Sequence, residues 1–196
     1  MSISVHSPRH VLDSHGRSVT IRPATPQDRD ALLELSDSLS PRSVYLRFFS
    51  SSRSAAENYL SALAEPSQGT GVTLLAIQGP ELVGVAAFEP IDAAQAEMSV
   101  LVSDSHQHCG IGTLLIESLV DLARNRGFSR FVAEVLVQNG PMMTVLRDLG
   151  LHFESSIHWG VETVTIDIEQ IEEFTAARAE RERASTAASL EPMLRR

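Results

Sequence analysis

The chain has 196 residues, 43% of them hydrophobic, and a formal net charge of −9. That length suffices for one domain with a full core, and the acidic balance disfavours nucleic acid, whose binding rests on neutralising phosphates. A single cysteine excludes an internal disulfide, no apolar run approaches the roughly 20 residues of a membrane helix, and the N-terminus has no signal-peptide core; together these point to the cytoplasm.

Residues 1–17 read as a loose, polar, flexible segment. Ser18 to Arg22 alternates in polarity and predicts a first strand, which Pro23-Ala24-Thr25-Pro26 stops. Thr25 is placed to cap a helix with Pro26 at its first position and Asp28 in its first turn. Leu32, Leu33 and Leu35 begin its apolar face. After the break at Ser40-Pro41, Ser43 to Phe49 starts a second helix, and Ser54 to Leu63 predicts a third. Val72 to Ile77 and Leu82 to Glu89 form a hairpin about the turn Gln78 to Glu81.

Met98 to Val102 is an apolar strand that enters a polar turn, Gln107-His108-Cys109-Gly110-Ile111-Gly112-Thr113. An amphipathic helix follows, with Ile111, Leu114, Leu115, Leu119 and Leu122 at helical spacing, and Gly127 closes it. Arg130 to Val137 is the next strand. Asn139-Gly140-Pro141 opens a short helix that buries Met142, Val145, Leu146 and Leu149. Leu151 to Ser155 and Val161 to Ile168 are the last strands. Residues 169–196, rich in Glu, Arg and Ala, predict a helix that frays into a linker.

A strand, a glycine-bearing turn and a helix N-terminus make an anion site. The first N–H groups of the helix lack intrahelical partners, and the dipole adds positive charge there. Without a Cβ, Gly110 and Gly112 let a phosphate come close. The pattern Gln107-x-x-Gly110-x-Gly112 resembles the acyl-CoA signature of the GNAT superfamily of N-acetyltransferases. The order of elements from Val19 to Ile168 resembles that fold as well. Leu39-Ser-Pro-Arg-Ser-Val-Tyr-Leu-Arg-Phe-Phe49 is similar to a segment of the bacterial Pat-type protein lysine acetyltransferases, and Ala96-Glu97 to their acidic residue on the fourth strand.

The resemblance implies an α/β (α+β) GNAT fold: a mixed, mostly antiparallel central sheet flanked by helices, with splayed central strands holding acetyl-CoA. The acetyltransferase domain would span 18–168. Residues 169–196 would lead to a further domain, since Ser189 to Arg195 looks like the linker to an acyl-CoA synthetase-like domain in actinobacterial Pat-type proteins. The implied reaction moves acetyl from acetyl-CoA to a lysine ε-amine. A lysine of pKa about 10.4 must lose a proton first, which costs about 4 kcal/mol at neutral pH, so a nearby base is useful.

Glu97 is the candidate base, directly or through water; Glu134 on the neighbouring strand is the runner-up, its expected role being a salt bridge or a solvent-facing position. Val100, Leu101 and Val102 would pair by backbone with the pantetheine arm, a backbone N–H polarising the thioester carbonyl. Gln107, His108, Cys109, Gly110, Ile111, Gly112 and Thr113 would hold the pyrophosphate, although the turn lacks the family's usual basic residue. Asn139, with Met142 beside it, would touch the CoA arm; Asn139 equally suits a helix N-cap. Where many relatives carry a tyrosine for the leaving thiolate, this chain has Met142 and Met143, and its only tyrosines are Tyr45 and Tyr59. Tyr45, Arg47, Phe48 and Phe49 are expected to line or support the substrate side. His106, His108 and Cys109 are not expected to hold a metal, because zinc takes three or four protein ligands and no partner pair appears. By the resemblance, the partners are acetyl-CoA and a lysine-bearing protein, an acyl-CoA synthetase by analogy, with neither nucleic acid nor membrane. Two other readings stay open: an N-acetyltransferase of small amines, and an acetyl-CoA sensor without turnover.

Overall fold

Alternating polarity sends successive side chains to opposite faces of a strand, and the 3.6-residue period gives a helix one buried stripe. The computed structural model describes residues 7–65 and 70–194, so residues 1–6 of the N-terminal segment and 195–196 of the C-terminal one lie outside the described residues. The strands are β1 (Arg9–Leu12), β2 (Ser18–Pro23), β3 (Val72–Gln78), β4 (Glu81–Pro90), β5 (Gln95–Val102), β6 (Arg130–Leu136), β7 (Phe153–His158) and β8 (Val161–Asp167). The helices are α1 (Arg29–Asp37), α2 (Pro41–Phe48), α3 (Arg53–Ala62), α4 (Ile111–Asn125), α5 (Gly140–Asp148) and α6 (Glu172–Leu194). All eight strands form one sheet in the order β1-β2-β3-β4-β5-β6-β8-β7, antiparallel except at β5–β6.

The register sorts side chains between two cores. On one face Leu74, Ala86, Met98, Phe131 and Ile166 meet the apolar stripe of α4. On the other, Leu75, Val85 and Leu101 meet Leu32, Leu35, Val44 and Leu60 of α1–α3. At the corner between β2 and α1, Asp28 accepts both terminal nitrogens of Arg22 and the backbone N–H and hydroxyl of Thr25. The predicted cap at Thr25 is thus present, and a short 3-10 turn over Pro26–Asp28 precedes α1.

Two terminal stretches differ from the sequence reading. Part of the supposedly loose segment is β1, which pairs with β2 from Arg9↔Ile21 to Leu12↔Ser18. The chain after residue 168 does not leave the domain at once. Phe174 is buried, and α6 lies along α4, where Arg181 donates to Glu117 (2.9 and 2.6 Å) and Arg178 to Asp121 (2.9 Å). This explains why Glu117, a polar residue outside the apolar stripe, is buried, while the buried Ser118 beside it accepts from Arg9 of β1 (3.1 Å). Gly16, at φ +75° in the β1–β2 turn, lets α6 come close: a Cβ there would stand 2.3 Å from the Ser189 nitrogen.

Candidate active site

The central strands part company. β5 and β6 pair only at Gln95↔Arg130, Ala96↔Phe131 and Glu97↔Val132, although β5 runs on to Val102 and β6 to Leu136. Beyond Glu97 they open into a V. β4 still pairs with β5 as far as Val102, so only the β6 side of β5 is free. The Ser103 N–H bonds the Val83 carbonyl on the β4 side. Backbone groups alternate along a strand, so those of Met98, Val100 and Val102 face the opening, whereas those of Leu101, expected to pair with the arm as well, are turned to Val85 of β4. The Gln107 amide donates to the Val102 carbonyl (3.3 Å), in keeping with that direction.

The V is the floor of a cavity of about 930 Å³. Its walls come from β5, β6, the turn before α4, the first turns of α4 and α5, and one side of α2. Glu97, Val100, Leu101, Val102, Gln107, His108, Gly110, Ile111, Gly112, Thr113, Asn139 and Met142 all line it, as do Arg42, Arg47, Phe49, Ser99 and Glu134. Cys109 is the exception among the predicted binding residues. Its side chain turns under the loop, buried against the α4 core, with Sγ 3.3 Å from the Gln107 carbonyl. The backbone reversal causes this: His108 and Gly110 both take positive φ, +60° and +79°, and the residue between them points inward.

That reversal aims the start of α4 at the cavity. The first helical hydrogen bond runs from the Leu114 N–H to the Gly110 carbonyl (3.1 Å). The N–H groups of Ile111, Gly112 and Thr113 precede the ladder and can meet an anion. Asn139 caps α5, accepting from the Met142 N–H (3.2 Å), and lines the cavity as well; the two readings of this residue are compatible.

Sequence reasoning missed the clip that joins this turn to α2. Asp104 accepts the Ser40 N–H (3.0 Å) and the hydroxyls of Ser40 (2.7 Å) and Ser43 (2.8 Å), and Gln107 donates to Ser43 (3.3 Å). Burial alone would raise the Asp104 carboxyl, but these donors outweigh it and hold it below the ordinary carboxylate range. The Ser40-Pro41-x-Ser43 pattern signals a helix cap, and the Ser43 N–H does bond the Ser40 hydroxyl. Nothing in sequence spacing connects it to Asp104, 64 positions away.

Glu97 sits at the last β5–β6 pair, exposed to the cavity. Ser99 and Leu101 share its face of β5, and its register partner Val132 shares that face with Glu134. Two carboxylates, an open strand edge and a helix N-terminus thus converge on one space. Such a site can lay an extended amide-bearing arm along β5, receive phosphates at α4 and draw a proton from an incoming nucleophile. This combination defines an acyl-CoA-dependent transferase.

Comparison with known proteins makes that class definite. The family model for acetyltransferase (GNAT) matches residues 37–151, more than half of the chain, and the chain belongs to that family. An acetyltransferase of Pseudomonas aeruginosa is 27% identical over 140 residues, covering 69% of this chain and 75% of its own. The GNAT domain of Streptomyces lividans PAT superposes with a TM-score of 0.77 and 28% identity, over 85% of this chain and 99% of that one. A putative acetyltransferase from Salmonella typhimurium, yncA, solved with its cofactor acetyl-CoA, superposes with a TM-score of 0.63 and 21% identity, over 78% and 95%. The protein is an acetyltransferase that uses acetyl-CoA, and the open edge and Gly110 turn suit the arm and pyrophosphate of that donor. Among the described residues no helix is long and apolar enough to cross a membrane.

Proposed function

We propose that this acetyltransferase modifies lysine side chains of proteins, acyl-CoA synthetases among them, by direct transfer with Glu97 as the base. The observation that carries the reading is the position of Glu97 at the apex of the V. Pyrophosphate oxygens at Ile111 to Thr113 leave the pantetheine arm to run back along Val102 and Val100. The thioester then reaches the level where the strands close. A Val100 N–H beside the carbonyl stabilises the charge that develops on its oxygen. Glu97, on the cavity side of the same strand, takes the amine proton. Likeness to the PAT domain, together with α2 and its Arg42, Arg47 and Phe49 on the cavity wall, supports a protein substrate. The net charge of −9 favours a lysine-bearing partner. We also propose that residues 18–168 form the catalytic core, to which β1 and α6 add, and that the chain after α6 leads to a further domain.

The test is CoA release from acetyl-CoA with an acyl-CoA synthetase of the same organism, for the native protein and for Glu97→Gln. Native release and a loss of 100-fold or more in the variant, with acetyl-CoA affinity kept, supports transferase and base together. Unchanged release in the variant removes Glu97 from the role. Release with free amines but with no protein favours the small-molecule reading. Binding without release by the native protein favours the sensor.

A further inference from the structure

We propose that Ser99, held by Tyr59, donates the proton that the departing CoA thiolate needs; this rests on the acyl-CoA placement and the Glu97 role proposed above. α5 offers Met142 and Met143 where many relatives carry a tyrosine acid, so either the thiolate leaves unassisted or another hydroxyl of the cavity supplies the proton, and of those hydroxyls Ser99 is the one backed by a phenol. Ser99 is two residues beyond Glu97 on the same face of β5, about 7 Å along the strand, and it lines the cavity. Its hydroxyl oxygen lies 2.6 Å from the Tyr59 hydroxyl of α3. Tyr59 is itself fixed from behind. The Arg47 guanidinium carbon is 4.6 Å from its ring centroid, and Phe48 meets the ring edge-on at 5.5 Å. The buried Nε of Arg47 has no hydrogen-bond partner, and among the described residues no carboxylate pairs with this guanidinium, so its contacts there are with the two rings.

A phenol is a better acid than an alcohol, so Tyr59 donates to Ser99 and the serine proton points into the cavity. The positive charge of Arg47 stands beside the ring that would carry negative charge. Proton and electron bookkeeping closes. The amine nitrogen attacks the carbonyl carbon, and Glu97 takes the amine proton. The C–S bond then breaks with its electron pair on sulfur. The sulfur takes the Ser99 proton as Ser99 takes the one from Tyr59. The phenolate regains a proton from water, and Glu97 releases one to water. Glu97 and Ser99 thus serve the two ends of one tetrahedral carbon from one strand face.

The test compares acetyl-CoA with acetyl-seleno-CoA, since a selenolate is a weaker base that leaves without protonation. Single-turnover rates are measured on the acyl-CoA synthetase acceptor for the native protein, Ser99→Ala, Tyr59→Phe and Glu97→Gln. With acetyl-CoA, Ser99→Ala is expected to lose about 100-fold, a usual value for one acid–base group, and Tyr59→Phe about 10-fold, both with acetyl-CoA affinity within twofold of native. With the selenoester both losses should shrink below threefold. Glu97→Gln should lose activity equally with both donors. Equal losses of Ser99→Ala with both donors, or a loss confined to affinity, overturn the proposal while leaving the transferase standing. Full activity of Glu97→Gln overturns the base without touching the donor comparison, and no turnover by the native protein with either donor overturns both. A readout without turnover is the ultraviolet titration of the thiol in the CoA complex. A donated hydrogen bond favours the thiolate, so Ser99→Ala should move that titration to higher pH. The other charged groups facing the cavity are Glu97, Glu134, Arg42 and Arg47, with Asp104, His106 and His108 at its far end. All of them are kept in both proteins, and an unmoved titration refutes the contact.

Discussion

The corner between β2 and α1 gives the firmest number for a test. Asp28 has an 11% exposed side chain, so solvent screens its ion pair with Arg22 little. Donation from the Arg22 guanidinium, helped by the Thr25 hydroxyl and N–H, overcomes burial and lowers the carboxyl from 3.8 to about 2. A carboxyl depressed by that amount contributes about 2.4 kcal/mol of stability wherever it is ionised in both states. Because its folded pKa is the lower one, the contribution is complete above about pH 4, fades as the pH falls through 3.8 towards 2, and is gone below. By the same relation about 1.3 kcal/mol remains at pH 3.

Urea unfolding of the native protein and of Asp28→Asn, at pH 7, 5 and 3, measures this directly. The difference should be about 2.4 kcal/mol at the first two values and about half that at the third. A difference that stays constant with pH, or one under about 0.5 kcal/mol at pH 7 as for an exposed pair, refutes the argument. The consequence extends beyond stability, because this corner begins the α1–α3 layer that carries Arg47 and Tyr59.

Asp104→Ala removes three charge-assisted contacts from the clip between the turn and α2; kinetics should show a KM for acetyl-CoA raised about 10-fold, the equivalent of 1.4 kcal/mol, with fold stability reduced less than by Asp28→Asn. Gly110→Ala has room, the nearest Ser14 atoms being 3.6 Å away, yet φ of +79° should cost about 1–2 kcal/mol in thermal or urea unfolding. Arg181→Ala leaves the buried Glu117 with only the 3.7 Å contact to Arg178; unfolding free energy should fall by about 3 kcal/mol, and a loss within 0.5 kcal/mol would show that α6 is not held by this pair.

The part of the site that lies close in sequence was legible. Gln107 to Thr113 form one turn, and a strand ending in two glycines before an amphipathic helix has few other shapes. Asn139 at the head of α5 was readable as a cap for the same reason. What escaped depends on contacts between distant segments. The Ser40–Asp104 clip and the Tyr59–Ser99 hydrogen bond leave no periodicity, since each joins a helix to a segment of the β5 strand and turn. The inward turn of the Cys109 side chain was not legible, because a motif gives residue order and not the φ values that set its direction.

The ends of the chain show the same limit from another side. Arg9 to Leu12 is too short and too polar to predict alone, and becomes a strand because β2 offers it an edge. Glu117 and Asp121 fall on what the helical period marks as the solvent side of α4; the arginines of α6 bury Glu117 there, while Asp121 stays partly exposed. α4 is therefore held on both flanks, by the sheet and by α6, while its N-terminus faces the cavity. A displacement of α6 would uncover Glu117, about one turn below the N–H groups of Ile111 to Thr113 that we propose meet the phosphates. In this fold the helix whose N-terminus faces the cavity is also the helix that α6 packs against.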